Sequence, residues 1–293
     1  TDTVSTNTTL YARWTQLTFS FQFDAAGGSA VTSQTIAYGG KATEPNAPTR
    51  EGYSFGGWYK EAALTNSWNF TTDTVTANTT LYARWTQLFT LTYSAGSNGS
   101  LSGSLSQTIA SGSSGTAVTA TPDTGYRFSG WSDGSTLNPR TDGNVSSAIN
   151  VTANFVAKDA TVLADGRYGW SENSGWLDFS PTQASATARL GKTGYLTGMI
   201  WHENIGWIKL GVSGITPPYA NNAVNNWGVN LDEAGRLSGY AWSENAGWIN
   251  FSATSADAVL NQTTGLMSGS AWSENLGWFK FSGSLYNVKF QVN

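Results

Sequence analysis

Four copies of one short motif dominate the C-terminal half of the chain: GWSENSGW at 169–176, IWHENIGW at 200–207, AWSENAGW at 241–248 and AWSENLGW at 271–278. Their first tryptophans lie 31, 41 and 30 residues apart, so the unit is about 30 residues long and the wider gap holds an insertion around GVSGITPPYANN. A unit this short cannot bury an apolar face alone and must pack against its neighbours. Each motif runs into an apolar-polar-apolar tail: Leu177-Asp178-Phe179, Ile208-Lys209-Leu210, Ile249-Asn250-Phe251 and Phe279-Lys280-Phe281. The later motifs are preceded by GYLTGMIW, GRLSGYAW and GLMSGSAW. The period is two, so these are strands. The reading is a meander of three strands per unit, with Ser-Glu-Asn-x-Gly as a hairpin loop whose glycine suits a bulge. The paired tryptophans then become cross-strand neighbours, an arrangement that adds about 0.2–1 kcal/mol per pair relative to alanines.

Alternation also assigns faces. Ile249 and Phe251 share one face, and Trp248 and Asn250 share the other. The aliphatic face is the expected core, and the tryptophans fall on the polar-lined face, where eight of them are too much apolar surface to leave uncovered. Three covers are open. The repeats can stack or curl into a prism, barrel or solenoid with the rings packed between units. The rings can form a carbohydrate platform, with Trp170, Trp176, Trp201, Trp207, Trp242, Trp248, Trp272 and Trp278 facing sugar and Glu172, Glu203, Glu244 and Glu274 bonding its hydroxyls. They can also meet further copies of the chain in a fibre or sheath. The closing NVKFQV at 287–292 looks like the opening strand of a unit and is expected to pair with residues 161–170, closing the array. His202 stands where the other motifs have serine and reads as a tolerated loop substitution.

The N-terminal half repeats on a longer scale. TDTVSTNTTLYARWTQL at 1–17 returns as TDTVTANTTLYARWTQL at 72–88, identical at 15 of 17 positions with an offset of 71. The expectation is a terminal strand of a truncated repeat at 1–16, a complete module at 17–87, a divergent one at 88–157 and the tryptophan repeat domain at 158–293, all within a longer array. EGYSFGGW at 51–58 becomes TGYRFSGW at 124–131, and TLYARW at 80–85 becomes NVTANF at 150–155. In LTFSFQFD, Leu17, Phe19, Phe21 and Phe23 alternate with polar residues as in a half-buried strand.

The runs FDAAGGSAV, YGGKATEPNAPTREGYSFGGWY, SWNF and TDTVTANTTLYARWT resemble the Listeria-Bacteroides repeat, the B repeat of internalin-type surface proteins. Residues 88–157 resemble its divergent relatives, keeping GYxFxGW and lacking the FDxxGG start. The resemblance implies a small β-grasp-like module of bacterial surface proteins with no catalytic residues. WxENxGW resembles a repeat of bacterial surface and secreted proteins, which implies location more than activity.

Composition narrows the chemistry. There is no cysteine and a single histidine, which removes thiol nucleophiles, thiolate metal sites and most histidine catalysis. Only 12% of residues are charged, too few to coat helices. The net charge of −4 divides evenly between the halves, leaving no basic patch for nucleic acid. No apolar run is long enough to span a bilayer, and there is no secretory leader pattern. Four equivalent glutamates offer one environment four times, whereas glycoside hydrolysis needs two unlike carboxyls. The sequence therefore points to a mainly β, non-enzymatic, extracellular bacterial surface protein. It needs no cofactor or metal, and its partners are surface glycans or copies of itself, without nucleic acid and without direct membrane insertion.

Overall fold

The computed structural model describes Thr9 and Tyr11–Val292 apart from Ala253. All regular structure among these residues is β. Much of the stub at 1–16 lies outside the described residues, and Tyr11–Gln16 carry no strand pairing. Two compact units form. One gathers residues up to Thr92 with Ser106–Ala117 and Thr141–Asn150; the other holds Tyr93–Leu105, Val118–Arg140 and the chain from Val151 onward.

In the first unit, Thr18–Asp24 lies between Gln34–Ala37, antiparallel, and the start of Thr79–Ala95, parallel. Tyr53–Tyr59 pairs antiparallel with Thr79–Ala95. The expected alternation holds from Phe19 onward, with Phe21 buried between half-buried Phe19 and Phe23, whereas Leu17 precedes the strand and is 60% exposed; Leu81 and Ala83 are buried on one face of their strand. GYxFxGW is explained by a bulge. The register slips between Phe55 and Trp58 here and between Phe128 and Gly130 in the second module, where Tyr126–Trp131 meets Ile149–Ala157. The slip turns Trp58 and Trp131 inward, where both are buried. The same glycine-tyrosine turn receives the start of the next segment in each case: Leu88 N–H donates to Gly52 O at 2.8 Å and Lys158 N–H to Gly125 O at 2.9 Å.

The tryptophan repeats close into an eight-stranded antiparallel barrel. Four ascending strands are Asp159–Ser171; Thr193–Thr197 continued by Met199–His202; Leu237–Ser243; and Leu266–Ser268 continued by Ser270–Ser273. Each is followed by a short descending strand: Gly175–Asp178, Gly206–Lys209, Gly247–Asn250 and Gly277–Lys280. These eight pair in an unbroken ring. The expectation of three strands per unit is corrected by the lower half. The opening strand of each unit is collinear with the last strand of the unit before it, because the chain leaves the wall in a loop and rejoins it on the same track. Ala186 N–H bonds Phe179 O at 2.8 Å, Val229 N–H bonds Leu210 O at 2.9 Å and Val288 N–H bonds Phe281 O at 2.9 Å. The three later ascending strands bulge at that level on Gly198, Gly239 and Gly269, all at positive φ; a Cβ there would stand 2.1–2.2 Å from a carbonyl oxygen of the opposing loop or strand.

The final strand Val288–Val292 supplies the missing descending track. Val292 faces Ala160, Gln291 faces Thr161 and Phe290 faces Val162, while on the other side Met267 faces Val288. The ring therefore leaves no unpaired edge along its closing seam, as the sequence suggested. Its lumen is filled, as expected for eight strands. Leu177, Ile208, Ile249 and Phe279 form one buried layer, and Phe179, Leu210, Phe251 and Phe281 form the next. The void between them is about 10 Å³, the lower limit for a single water.

The foot of the barrel meets the turn Asp123–Tyr126 of the second module within the same compact unit. The buried Gln262 accepts from Gly191 N–H at 2.6 Å and donates to Asp232 O at 2.9 Å, and Tyr126 Oη accepts from Lys192 N–H at 3.1 Å. Lys192 adds ion pairs to Asp123 at 3.4 Å and Glu233 at 3.7 Å.

Candidate functional site

The four motif loops crown the upper end of the barrel, each built the same way. Ser171 pairs with Gly175, and the equivalent residues pair in the other units, so the loop proper is three residues closed by a glycine at positive φ. At Gly175 a side chain would overlap Glu203 Oε1. The tryptophans are direct cross-strand partners, packed edge to face or tilted with ring centroids 4.7–5.0 Å apart. They are outside the barrel. None of the eight is buried, and Trp176, Trp201 and Trp248 are 41%, 39% and 41% exposed.

The second motif position does the opposite. Ser171, His202, Ser243 and Ser273 point into the barrel mouth at 0–1% exposure. His202 thus ends a strand and is not a loop residue, which corrects the sequence reading: the alternation that puts Trp201 outside puts its neighbour inside.

The motif asparagines explain their own presence. Asn204 Nδ2 donates to Ser174 O at 2.6 Å, Asn245 to Ile205 O at 2.9 Å, Asn275 to Ala246 O at 3.0 Å and Asn173 to Leu276 O at 3.2 Å. Each ties its loop to the preceding one, and the fourth bond returns to the start, making a closed ring around the rim. Asn204→Ala is expected to cost about 1 kcal/mol, the ordinary net worth of one such bond. Urea unfolding followed by tryptophan fluorescence measures it.

The motif glutamates diverge in use. Glu203 Oε1 accepts from Trp176 N–H at 2.8 Å, and Glu172 pairs with Lys280, whose ammonium it holds above the usual lysine range. Glu244 and Glu274 are exposed and make no hydrogen bond or ion pair among the described residues. Glu274 borders a groove of about 730 Å³ with Trp227, Tyr240, Trp242 and Trp248.

Residues 19–84 match the Listeria-Bacteroides repeat domain, and residues 89–159 match the divergent InlB B-repeat domain. Residues 19–159 carry two B-repeat modules. Similar proteins include a Gly-rich membrane protein of Evansella cellulosilytica, 46% identical over 85 residues (29% of this chain, 10% of that protein). A second membrane protein of that organism is 43% identical over 84 residues (29% and 13%). Internalin H of Listeria monocytogenes is 40% identical over 80 residues (27% and 14%). The chain thus spans 10–14% of the length of these relatives. No helix among the described residues is long and apolar enough to cross a membrane.

Beyond the B-repeats, the buried His202 makes a chemical prediction. Its Nδ1 accepts from Asn204 N–H at 3.1 Å, so the ring proton sits on Nε2, which has no partner. Burial pushes the imidazole below its ordinary range, opposed weakly by Glu203. The unfolded chain therefore takes up the proton first as pH falls. The stability due to neutral His202 is complete above about pH 6.5 and declines below it, by at most about 1.4 kcal/mol per pH unit. Urea midpoints at pH 7.5 and 5.5 should differ in the native chain, and His202→Ser should flatten the difference. Half-buried carboxylates such as Glu61 and Asp73, held low by their hydrogen bonds, act only below about pH 4.5 and do not confuse the window.

Sequence reasoning missed four aromatic residues beside the motifs: Tyr168, Tyr240, Trp227 and Tyr286. Trp227 packs at 5.2 Å on Trp248, and Tyr286 at 5.6 Å on Trp176. The signal was available in the tyrosine two residues before the first tryptophan in the first and third units, where the others have Met199 and Ser270.

Proposed function

We propose that this is the ligand-presenting part of a non-enzymatic bacterial cell-surface protein, in which the B-repeat modules space and hold a barrel that binds carbohydrate through its external tryptophans and the polar side chains beside them. One observation carries the reading: the lumen is already full, so the motif tryptophans are not needed to fill it, and half-exposed indoles stand beside unpaired Glu244 and Glu274. Flat aromatic faces with a few hydrogen-bonding groups are the chemistry that holds sugar rings.

Assembly into fibres through strand addition is less well supported, since a closed ring offers no edge. Membrane insertion of the barrel is likewise disfavoured, because its aliphatic and phenylalanine side chains face inward while Ser238, Asn230, Gln291 and Lys289 face outward beside the tryptophans, which leaves the outer wall without the continuous apolar band of a lipid-facing barrel. Catalysis finds no support in the motif glutamates, which are exposed and occupy four equivalent loops.

A glycan array probed with the full chain tests the reading. Saturable binding, with quenching of tryptophan fluorescence by the bound glycan, is expected from a chain that sediments as a monomer. A blank array together with concentration-dependent oligomers would replace the reading with self-assembly.

A further inference from the structure

The four faces of the barrel are not equivalent. In the first and third units the ascending strand carries Tyr168 or Tyr240 directly across from Asp178 or Asn250; in the second and fourth it carries Met199 or Ser270 across from Lys209 or Lys280. The outer surface therefore alternates with two-fold symmetry, and the two tyrosine-bearing faces are on opposite sides because the units follow one another around the ring.

Each tyrosine face is completed by an aromatic from the loop that interrupts the neighbouring descending strand. Trp227 precedes Gly228-Val229 and Tyr286 precedes Asn287-Val288, at the same point of re-entry into the wall. The two clusters match ring for ring. Tyr168 meets Trp176 at 6.3 Å and 71°, and Tyr240 meets Trp248 at 5.9 Å and 72°. Tyr286 meets Trp176 at 5.6 Å and 88°, and Trp227 meets Trp248 at 5.2 Å and 84°. In both, the second motif tryptophan is packed at a steep angle against its two aromatic neighbours and remains 41% exposed. Grooves lie over both clusters, of about 410 Å³ at Trp176 and 730 Å³ at Trp248, within the usual range for small-ligand sites. A loop aliphatic stands open beside each: Leu285 is 92% exposed and Val224 85%. The groove over Trp201 and Trp207, about 390 Å³, has Met199 in place of the tyrosine and no loop aromatic.

We infer that the barrel is bivalent, with two equivalent pyranose-binding clefts on opposite faces, one centred on Trp176 with Tyr168 and Tyr286, the other on Trp248 with Tyr240 and Trp227. The inference rests on the carbohydrate reading and specifies where and how many times it applies. Ring geometry decides for a sugar over an organic cation. Centroids 4.7–6.3 Å apart mean that the rings touch one another, so no ammonium group can enter among their faces as in an aromatic cage; what remains is the 41% of each central tryptophan left open beneath its groove, apolar ring surface suited to the C–H side of a pyranose. Asp165 and Asn287 at one cleft, and Asn250 and Glu274 at the other, supply hydroxyl partners. Two sites facing apart let one molecule bridge two glycan strands, which raises avidity on a surface without any new contact.

Isothermal titration of the full chain with the strongest array glycan, in its smallest binding form, tests this. About two ligands should bind per chain. Trp176→Ala or Trp248→Ala should each bring the stoichiometry to about one, and the double variant should weaken binding about tenfold or more at both sites. Thermal melting of each variant reports on folding, and the stoichiometry of the unaltered chain stands without any variant. One or four ligands per chain, or undiminished binding by a folded double variant, would overturn the two-cleft assignment while leaving carbohydrate binding intact. An array with no bound glycan would overturn both.

Discussion

Deleting Val288–Val292 should abolish the cooperative unfolding of the barrel. This strand is the lower half of the last descending track, with Val288 and Phe290 fully buried and its hydrogen bonds divided between Asp159–Ser171 and Leu266–Ser268. Without it, two ascending strands lose partners together, the lower lumen opens to water, and the lower half of the wall is left with two free edges. Differential scanning calorimetry should then show no barrel transition, and a hydrophobic dye should bind the truncated chain. Phe290→Ala gives the graded form of the same test, with an expected loss of about 3–5 kcal/mol. A truncated chain that keeps the native transition would show that the upper ring, closed by Trp170 against Lys280, is sufficient alone.

Phe281→Ala should destabilise the barrel by about 3–5 kcal/mol, and Trp248→Ala should cost less although it removes a larger side chain. Phe281 is 1% exposed and sits between Phe179, edge-on at 5.9 Å, and Phe251, stacked at 5.7 Å and 5°. The lumen has almost no free volume, so the missing ring leaves a cavity that rigid walls cannot collapse. Trp248 instead is 41% exposed and leaves no enclosed cavity, so its loss removes mainly ring contacts with Trp242, Tyr240 and Trp227, worth about 0.5–1.5 kcal/mol for each pair. Paired urea titrations measure both. Equal losses would mean that the external tryptophans hold the fold, and would remove the ground for treating them as a binding surface.

Much of this was legible from residues alone. Period-two alternation identified the strands, the WxENxGW spacing identified the hairpins and their Trp-Trp register, and the split between Ile249 or Phe251 and Trp248 separated core from exterior. The GYxFxGW and TLYARW runs identified the B-repeats. These are local signals, fixed by strand pleating and turn chemistry over a few residues. His202 escaped because the hairpin loop was read as five residues; a three-residue loop moves the second motif position into the strand and hence into the lumen. The paired clefts escaped because Trp227 and Tyr286 belong to loops of different length, equivalent only where the chain re-enters the wall.

The sequence by itself determined that the chain is β, that its C-terminal part is a four-fold repeat, that the aliphatic faces are buried and that its last strand completes the first unit. Only the tertiary structure decided that the repeats close into a barrel of eight strands, that the closed ring fills its lumen with phenylalanine and leucine and leaves the tryptophans outside, and that the asparagines chain the loops into a ring. The physical reason is that closure is a property of the whole set of strands: twist, register and strand number must agree around the circumference, and no window of sequence holds all three.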